Sequence, residues 1–268
     1  EMCGRDWSSD VCSSDLSDPS TAPLRFRRLL LKIGGESLSE PGSPGVEIEA
    51  AGRTAELIAS IADLGVEVGL VVGGGNLLRG SQLLGDGPPH GISRPTADAM
   101  GMLATVMNAL ALADLLRTQG RDARVLSAFP VGGFTELFSA AAADRHLKAG
   151  RVVLLAGGTG NPFFTTDTCA ALRAAEIGAE VLIKATKVDG VYSDDPMVNP
   201  DAVRYKSLSY QEVLERNLGV MDLTAITLCK ENGIRVAVCD LWSDGAIEGV
   251  LRGDEDRGTW IGETADEG

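Results

Sequence analysis

From residue 27 onward, apolar residues form short unbroken runs, separated by longer stretches in which they recur every three or four positions. Short continuous runs bounded by glycine read as strands buried on both faces, and helical spacing reads as helices packed over them. Arg27–Ile33 (RRLLLKI) predicts a first strand, stopped by Gly34-Gly35. Val46–Leu64 has helical spacing and ends before Gly65, a suitable C-cap. Val66–Val72 predicts a second strand, ended by Gly73-Gly74-Gly75. Thr96–Arg117 predicts a long helix rich in Ala and Met. Arg124–Phe129 and Arg151–Ala156 predict a third and a fourth strand, the latter followed by GGTGNPFFTT. Asp167–Ile177 then predicts a helix and Glu180–Lys184 a fifth strand. Beyond the turn-rich stretch Val188–Pro200, Ser209–Asn217 and Asp222–Asn232 predict helices, Ile234–Cys239 a strand, and Trp260-Ile261 the close of a last one.

Strand–helix alternation of this kind predicts an α/β fold with a mostly parallel sheet covered on both faces. Ligands of such sheets bind beyond the carboxyl ends of the strands. Glycine-bearing loops follow four predicted strands here, at Gly34-Gly35, Gly73–Gly75, Gly157–Gly160 and, after a longer gap, Gly190. The expected organisation is one domain over residues 24–262. Residues 1–23 are set apart as an expected disordered, non-native extension: their start, EMCGRDWSSDVCSSDLSDPS, repeats SSD, is acidic, and resembles translated adapter sequence. It lacks the basic start and apolar stretch of a signal peptide. Residues 263–268 are expected to be a loose acidic tail.

Composition narrows the partners. A formal net charge of −14 argues against nonspecific nucleic-acid binding and against an anionic membrane surface. Small anions remain possible ligands, because they need local N–H groups and a few placed cations rather than a basic surface. With 44% hydrophobic but only 4% aromatic residues, the core must be built from Ala, Val, Leu and Ile. Five cysteines without a CxxC argue against a disulfide framework or a zinc site and fit a reducing compartment, the cytoplasm. No apolar run approaches the roughly 18 residues that span a bilayer.

Several residues could carry chemistry. Lys32 ends the first strand directly before Gly34-Gly35, where bare backbone can approach a phosphate and a cation can neutralise it. A solvated lysine before an ordinary turn is the alternative. Gly73-Gly74-Gly75-Asn76 with Arg79 is a second such loop, its arginine able to clamp phosphate oxygens; a flexible turn with a surface arginine is the plain reading. Gly157–Thr166 offers backbone donors and threonine hydroxyls before a helix, with Phe163 and Phe164 expected to pack under the loop. Asp167 is either an N-terminal helix charge or the partner of a catalytic lysine or metal-bound phosphate. Absences count too. There is no GxxxxGK[ST], HRD or DFG, and Leu78 and Phe163 stand where GxGxxG requires its third glycine. His90 and His146 lie beside no nucleophile motif and read as surface residues.

Taken in order, KIGGE from Lys32, GGGNLLRG from Gly73, TADAMGMLAT from Thr96, TGNPFFTTD from Thr159, KATKVDGVY from Lys184 and VMDLT from Val220 resemble the bacterial uridylate kinases. The resemblance covers residues 27–262, and the segments that begin TGNPFFTTD and KATKVDGVY are the specific ones. It implies the three-layer α/β/α sandwich of amino-acid kinases, a homohexamer, and transfer of the terminal phosphoryl group of Mg-ATP to UMP in pyrimidine nucleotide biosynthesis. It implies ATP contacts at Lys32, Ile33, Gly34, Gly35, Gly75 and Arg79, and further at Thr186, Tyr192 and Asp195. It implies UMP contacts at Gly74, at Asp98 through the ribose, and along Thr159, Gly160, Asn161, Pro162, Phe163, Phe164, Thr165 and Thr166. Within this reading Lys32 serves the transferring group, Asp167 orients it, and Lys184 and Asp222 are further catalytic candidates. Mg2+ is expected on the ATP phosphates and water, with no metal cage made by the protein. The family also implies activation by GTP and inhibition by UTP. Arg117 at the end of the long helix, and Arg124 and Arg151 at strand starts, are the candidates for that effector. Two rivals stand beside the assignment: a kinase of the same fold acting on a carboxylate, and a nucleotide-binding storage or regulatory protein without activity.

Overall fold

The computed structural model describes residues 23–78, 91–194, 196, 198–216 and 218–263. Arg79, His90, Asp195, the N-terminal extension and residues 264–268 of the tail lie outside the described residues. Nine strands form one sheet in the order β4-β3-β5-β2-β1-β6-β8-β9-β7. They are β1 Arg28–Ile33, β2 Glu67–Val72, β3 Ala123–Ser127, β4 Glu136–Leu137, β5 Val152–Ala156, β6 Val181–Thr186, β7 Ser207–Ser209, β8 Arg235–Asp240 and β9 Thr259–Gly262. Every pairing is parallel except β8 with β9. The helices are α1 Ile48–Asp63, α2 Arg94–Thr118, α3 Ala140–Lys148, α4 Thr166–Ile177, α5 Tyr210–Glu215, α6 Leu223–Glu231 and α7 Ala246–Arg252, with a 3-10 turn at Gly35–Leu38.

The period of two along each strand divides the core into two layers. Leu29, Leu31 and Ile33 of β1 and Val152, Leu154 and Ala156 of β5 face α1, α2 and α7. Leu30 of β1 and Val153 and Leu155 of β5 face α3, α4, α5 and α6. Both faces of the central strands are therefore buried, which is why they read as continuous apolar runs. The expected mostly parallel, three-layer α/β/α arrangement is the one found.

The differences are local. Helix α3 starts where Ser139 accepts from the Ala142 N–H, and α7 lies between Gly245 and Gly253, both at positive φ. Both helices are short and Ala- or Gly-bearing, so their apolar spacing is brief. Strands β4 and β7 are two and three residues long, too short for any periodic signal. Helix α2 needs a correction of another kind. By length and composition it passes for a bilayer span, contrary to the sequence reading. Its Ala104, Ala109, Leu112 and Leu116 are nevertheless buried in the fold.

Candidate functional site

Strand β1 has β2 on one side and β6 on the other, so the chain reverses its direction of travel across the sheet at β1. Sheets of this type bind ligands at such a switch. Here Lys32 and Lys184 are cross-strand partners on β1 and β6. Both fall on the alternation that faces α4, so two ammonium groups project side by side at the carboxyl ends of their strands.

Asp167, in the first turn of α4, sits between them. Its Oδ2 accepts from Lys184 Nζ at 2.7 Å. Its Oδ1 lies 2.8 Å from Lys32 Nζ. The three side chains are only 13–15% exposed. Burial works against the Asp167 charge, but Lys32 and Lys184 together outweigh it and hold the carboxyl below its usual value. Burial also pulls the Lys184 ammonium down; Asp167 opposes that shift and Lys32 adds to it.

The first turn of α4 is fixed by a second carboxylate. Thr165 caps the helix, its hydroxyl accepting from the Asp167 and Thr168 N–H groups. That hydroxyl donates to Asp222, as does Thr168 Oγ1 at 2.8 Å. Asp222 in turn caps α6 by accepting from the Ala225 N–H. Lys184 Nζ donates to the Val220 carbonyl beside it. Asp222 thus sets the position of Asp167 and Lys184 through threonine hydroxyls and backbone.

Two glycine loops flank the charged centre. Gly35 packs against the backbone of Gly73 and Gly75, and a Cβ at Gly74 would meet Ala104 Cβ and the Gly101 carbonyl at 2.9 Å. Only glycine permits these approaches. The loop after β5 turns through positive φ at Gly157, Gly158, Gly160 and Phe163. Asp98 of α2 braces it, accepting from the Phe163 N–H at 2.8 Å and from Arg94 Nε. A positive φ on Phe163 is an unfavourable conformation that this hydrogen bond helps to hold. Thr159 Oγ1 and Asn161 close the turn between them. Phe163 and Phe164 do not pack under the loop, as the sequence reading expected: they are 62% and 50% exposed. The positive φ at Phe163 goes with a ring that faces outward, over which Arg94 stacks at 5.8 Å.

On the other side of the lysines a cleft of about 570 Å3 is lined by Lys184, Thr186, Tyr192 and Val238, among others. Thr186 Oγ1 donates to the Val188 carbonyl at 2.8 Å, and the Tyr192 hydroxyl to Asp189 at 2.8 Å. Of the candidates for one nucleotide, Thr186 and Tyr192 line this cleft with Lys184, while Gly35 and Gly75 belong to the two loops that pack on each other. Of those for the other, Gly74 packs against α2 at Gly101 and Ala104, and Asp98 of the same helix holds the Thr159–Thr166 loop through Phe163.

The three arginines singled out as an effector site do come together, at the strand starts and away from the lysines. Arg124 and Arg151 share Asp122, and Arg117 Nη2 donates to the Ala123 carbonyl at 2.8 Å. His146 is not a free surface residue: it is largely shielded, 2.9 Å from both Glu136 and Arg151. Its short helix α3, missed in the sequence, is what carries it inward.

Two buried side chains that hold the glycine loops escaped the sequence reading. Arg173 of α4 is buried, donates to the Gly158 carbonyl at 3.2 Å and lies 3.9 Å from the Phe138 ring centroid. Asn108 of α2 is fully buried and donates to the Gly73 carbonyl at 2.7 Å. Asn108 had a visible signal, a polar residue within the apolar run Val106–Ala113, spaced helically from Asp98, Gly101 and Thr105.

A family model for the amino acid kinase family matches residues 27–240. A uridylate kinase of Legionella pneumophila (strain Paris) is 48% identical over 252 residues, covering 94% of this chain and 100% of that protein. Among solved structures, the UMP kinase of Bacillus anthracis superposes with a TM-score of 0.85 at 33% identity, covering 90% of this chain and 97% of that one. The UMP kinase of Ureaplasma parvum gives 0.81 at 36% identity, covering 90% and 100%.

Proposed function

This chain belongs to the amino acid kinase family and to its uridylate kinases, and from that premise we propose that it moves the γ-phosphoryl group of Mg-ATP onto UMP to give UDP, in pyrimidine nucleotide biosynthesis. The observation that carries the reading is the pair of lysines on partnered strand positions, held by one carboxylate between two glycine loops. Phosphoryl transfer between two anions needs placement and charge neutralisation more than covalent chemistry. The acceptor, a phosphate monoester with a second pKa of about 6, is already largely ionised at neutral pH. A site built of cations and N–H donors without a histidine base suits that acceptor.

In this mechanism Lys32 bears on the transferring group and Lys184 on the charge that develops beside it. Asp167 keeps both ammonium groups in place without cancelling either, and Asp222 holds Asp167 through the α4 cap. ATP lies along Ile33–Gly35, Gly75, Thr186 and Tyr192; UMP lies along Gly74, Asp98 and Thr159–Thr166. Among the described residues no group of three or more His, Cys, Asp or Glu side chains could hold a metal. A magnesium ion would be carried on the ATP phosphates and water, since both oxygens of Asp167 already face lysine ammonium groups. When bound, the ion neutralises phosphate charge; alignment of the two nucleotides falls to the protein.

A coupled assay offering UMP, CMP, glutamate and aspartate with Mg-ATP tests the reading against both rivals. Strong preference for UMP is expected. Turnover of a carboxylate acceptor would make it an amino-acid kinase, and turnover of none would favour a nonenzymatic binder.

The assembly and its control belong to the same proposal. The active form is a homohexamer, activated by GTP and inhibited by UTP through Arg117, Arg124 and Arg151. The pairing of Arg124 and Arg151 on Asp122, with Arg117 on the adjoining Ala123 carbonyl, supports this, since a triphosphate can displace that carboxylate. UMP saturation curves with and without GTP, for wild type and Arg124→Ala, are the check: GTP should shift the wild-type curve and not the variant's. The protein works in the cytoplasm, in keeping with the unpaired thiols of Cys169, Cys229 and Cys239.

A further inference from the structure

Helix α2 presents Asp98, Gly101, Thr105 and Asn108 at helical spacing, on the side turned toward the two glycine loops. Thr105 Oγ1 accepts from the Gly157 N–H at 2.9 Å and donates to the Met102 carbonyl at 2.7 Å. One turn further on, Asn108 Nδ2 donates to the Gly73 carbonyl and to Asn76 Oδ1, both at 2.7 Å. Asn76 Nδ2 returns a hydrogen bond to Asn108 Oδ1 at 3.2 Å and reaches the Gly45 carbonyl at 2.7 Å. Gly73 is the first residue after β2, and Gly157 the first after β5. The helix therefore grips each loop at the residue where it leaves the sheet.

Neither side chain is in contact with solvent to any extent: Asn108 is 0% and Thr105 4% exposed. Burying such groups is costly unless every donor and acceptor is used, and here they are. Apolar residues of the same shape would fill this position without that requirement. What the polar pair adds is direction: the first peptide of each loop is aimed from a single rigid element.

We propose that Thr105 and Asn108 are positioning residues that fix the separation and orientation of the two phosphate-handling loops relative to one another. The inference rests on the UMP kinase reading, with Gly74 and Gly75 on one loop and Thr159–Thr166 on the other. Both residues act through backbone and touch no nucleotide. A misplacement of about 1 Å can lower a rate by roughly 10²-fold, so modest loop movement is enough.

The test uses full-length protein with Thr105→Val, which keeps the β-branched shape and removes only the hydroxyl, and Asn108→Leu. Leu112→Ala on the same helix is the control, since it opens a cavity in the core away from both loops. At saturating UMP and ATP, at a temperature where all remain folded, Thr105→Val should lose at least about tenfold in kcat and Asn108→Leu about 10²-fold. KM for each substrate should change less than threefold. Leu112→Ala should lower the melting temperature and leave kcat intact. Amide hydrogen exchange, measured without nucleotide, should quicken at Gly74 and Gly75 in Asn108→Leu and over Gly157–Gly160 in Thr105→Val. Wild-type kcat in Thr105→Val, or an equal kcat loss in Leu112→Ala, would overturn the proposal. If the wild type phosphorylated no nucleotide, the functional reading would fail; unchanged loop exchange in both variants would sink the anchoring by itself.

Discussion

Lys32 and Lys184 stand side by side because β1 and β6 pair in register, and Asp167 is the one group between them. Replacing Lys32 by Ala removes charge that the transferring phosphoryl group requires, and kcat should fall about 10²–10³-fold. Asp98→Ala should act differently: it frees the Phe163 N–H and the loop around it, so the apparent KM for UMP should rise more than kcat falls. Steady-state kinetics over both substrates separates the two effects. Asp167→Asn leaves two ammonium groups facing each other without compensation, and should lower the melting temperature at neutral pH. The sign with pH follows from the depressed Asp167 pKa. Its contribution is fully present above the ordinary carboxyl value of 3.8 and is lost as pH falls through the lower folded-state value. The melting-temperature gap between wild type and Asp167→Asn should therefore close only below that value. Lys32 and Asp167 were legible in the sequence because each borders a glycine-bearing loop. The action of Asp222 was not, since it runs through Thr165 and Thr168, which only the fold brings within reach.

At the scale of elements, α4 depends on one hydroxyl for its start. Thr165→Ala removes the acceptor for two N–H groups and the donor to Asp222, and should cost about 1 kcal/mol in denaturant unfolding. It should also lower kcat, because Asp167 follows the cap by two residues. The long strands and helices could be read from their periodicity, and most ends fell within a few residues. Strand 3 was expected to reach Phe129 and stops at Ser127, where the chain turns toward β4. The missed elements, β4, β7, α3 and α7, are short and left too few apolar positions to stand out. Helix α3 is the costly omission, since it shields His146 and brings it to Arg151 and Glu136. The outward rings of Phe163 and Phe164 were misjudged for a related reason. Apolar character suggests burial, but a loop held at positive φ by Asp98 decides where the ring points.

Among the described residues, one long apolar helix is partly exposed. Leu103 and Met107 of α2 are 49% and 57% exposed, one turn apart, while the opposite side of the same helix is packed in the core. A homohexamer would cover them. Light scattering should give the assembled mass for wild type and a smaller one for Met107→Glu, because a buried unpaired carboxylate is strongly disfavoured. A monomeric wild type would refute the assembly. The sheet order has a consequence for biogenesis as well. Strand β1 is synthesised first but sits in the middle, and its partner β6 follows only after β2, β3, β4 and β5. A growing chain on the ribosome thus carries a leucine-rich strand with one open edge until residues 181–186 have emerged. Unpaired edges of that kind recruit other chains. The half-made protein is thus both catalytically empty, lacking Lys184, and sticky along the strand that bears Lys32, so premature termination before β6 should yield insoluble fragments rather than weak enzyme.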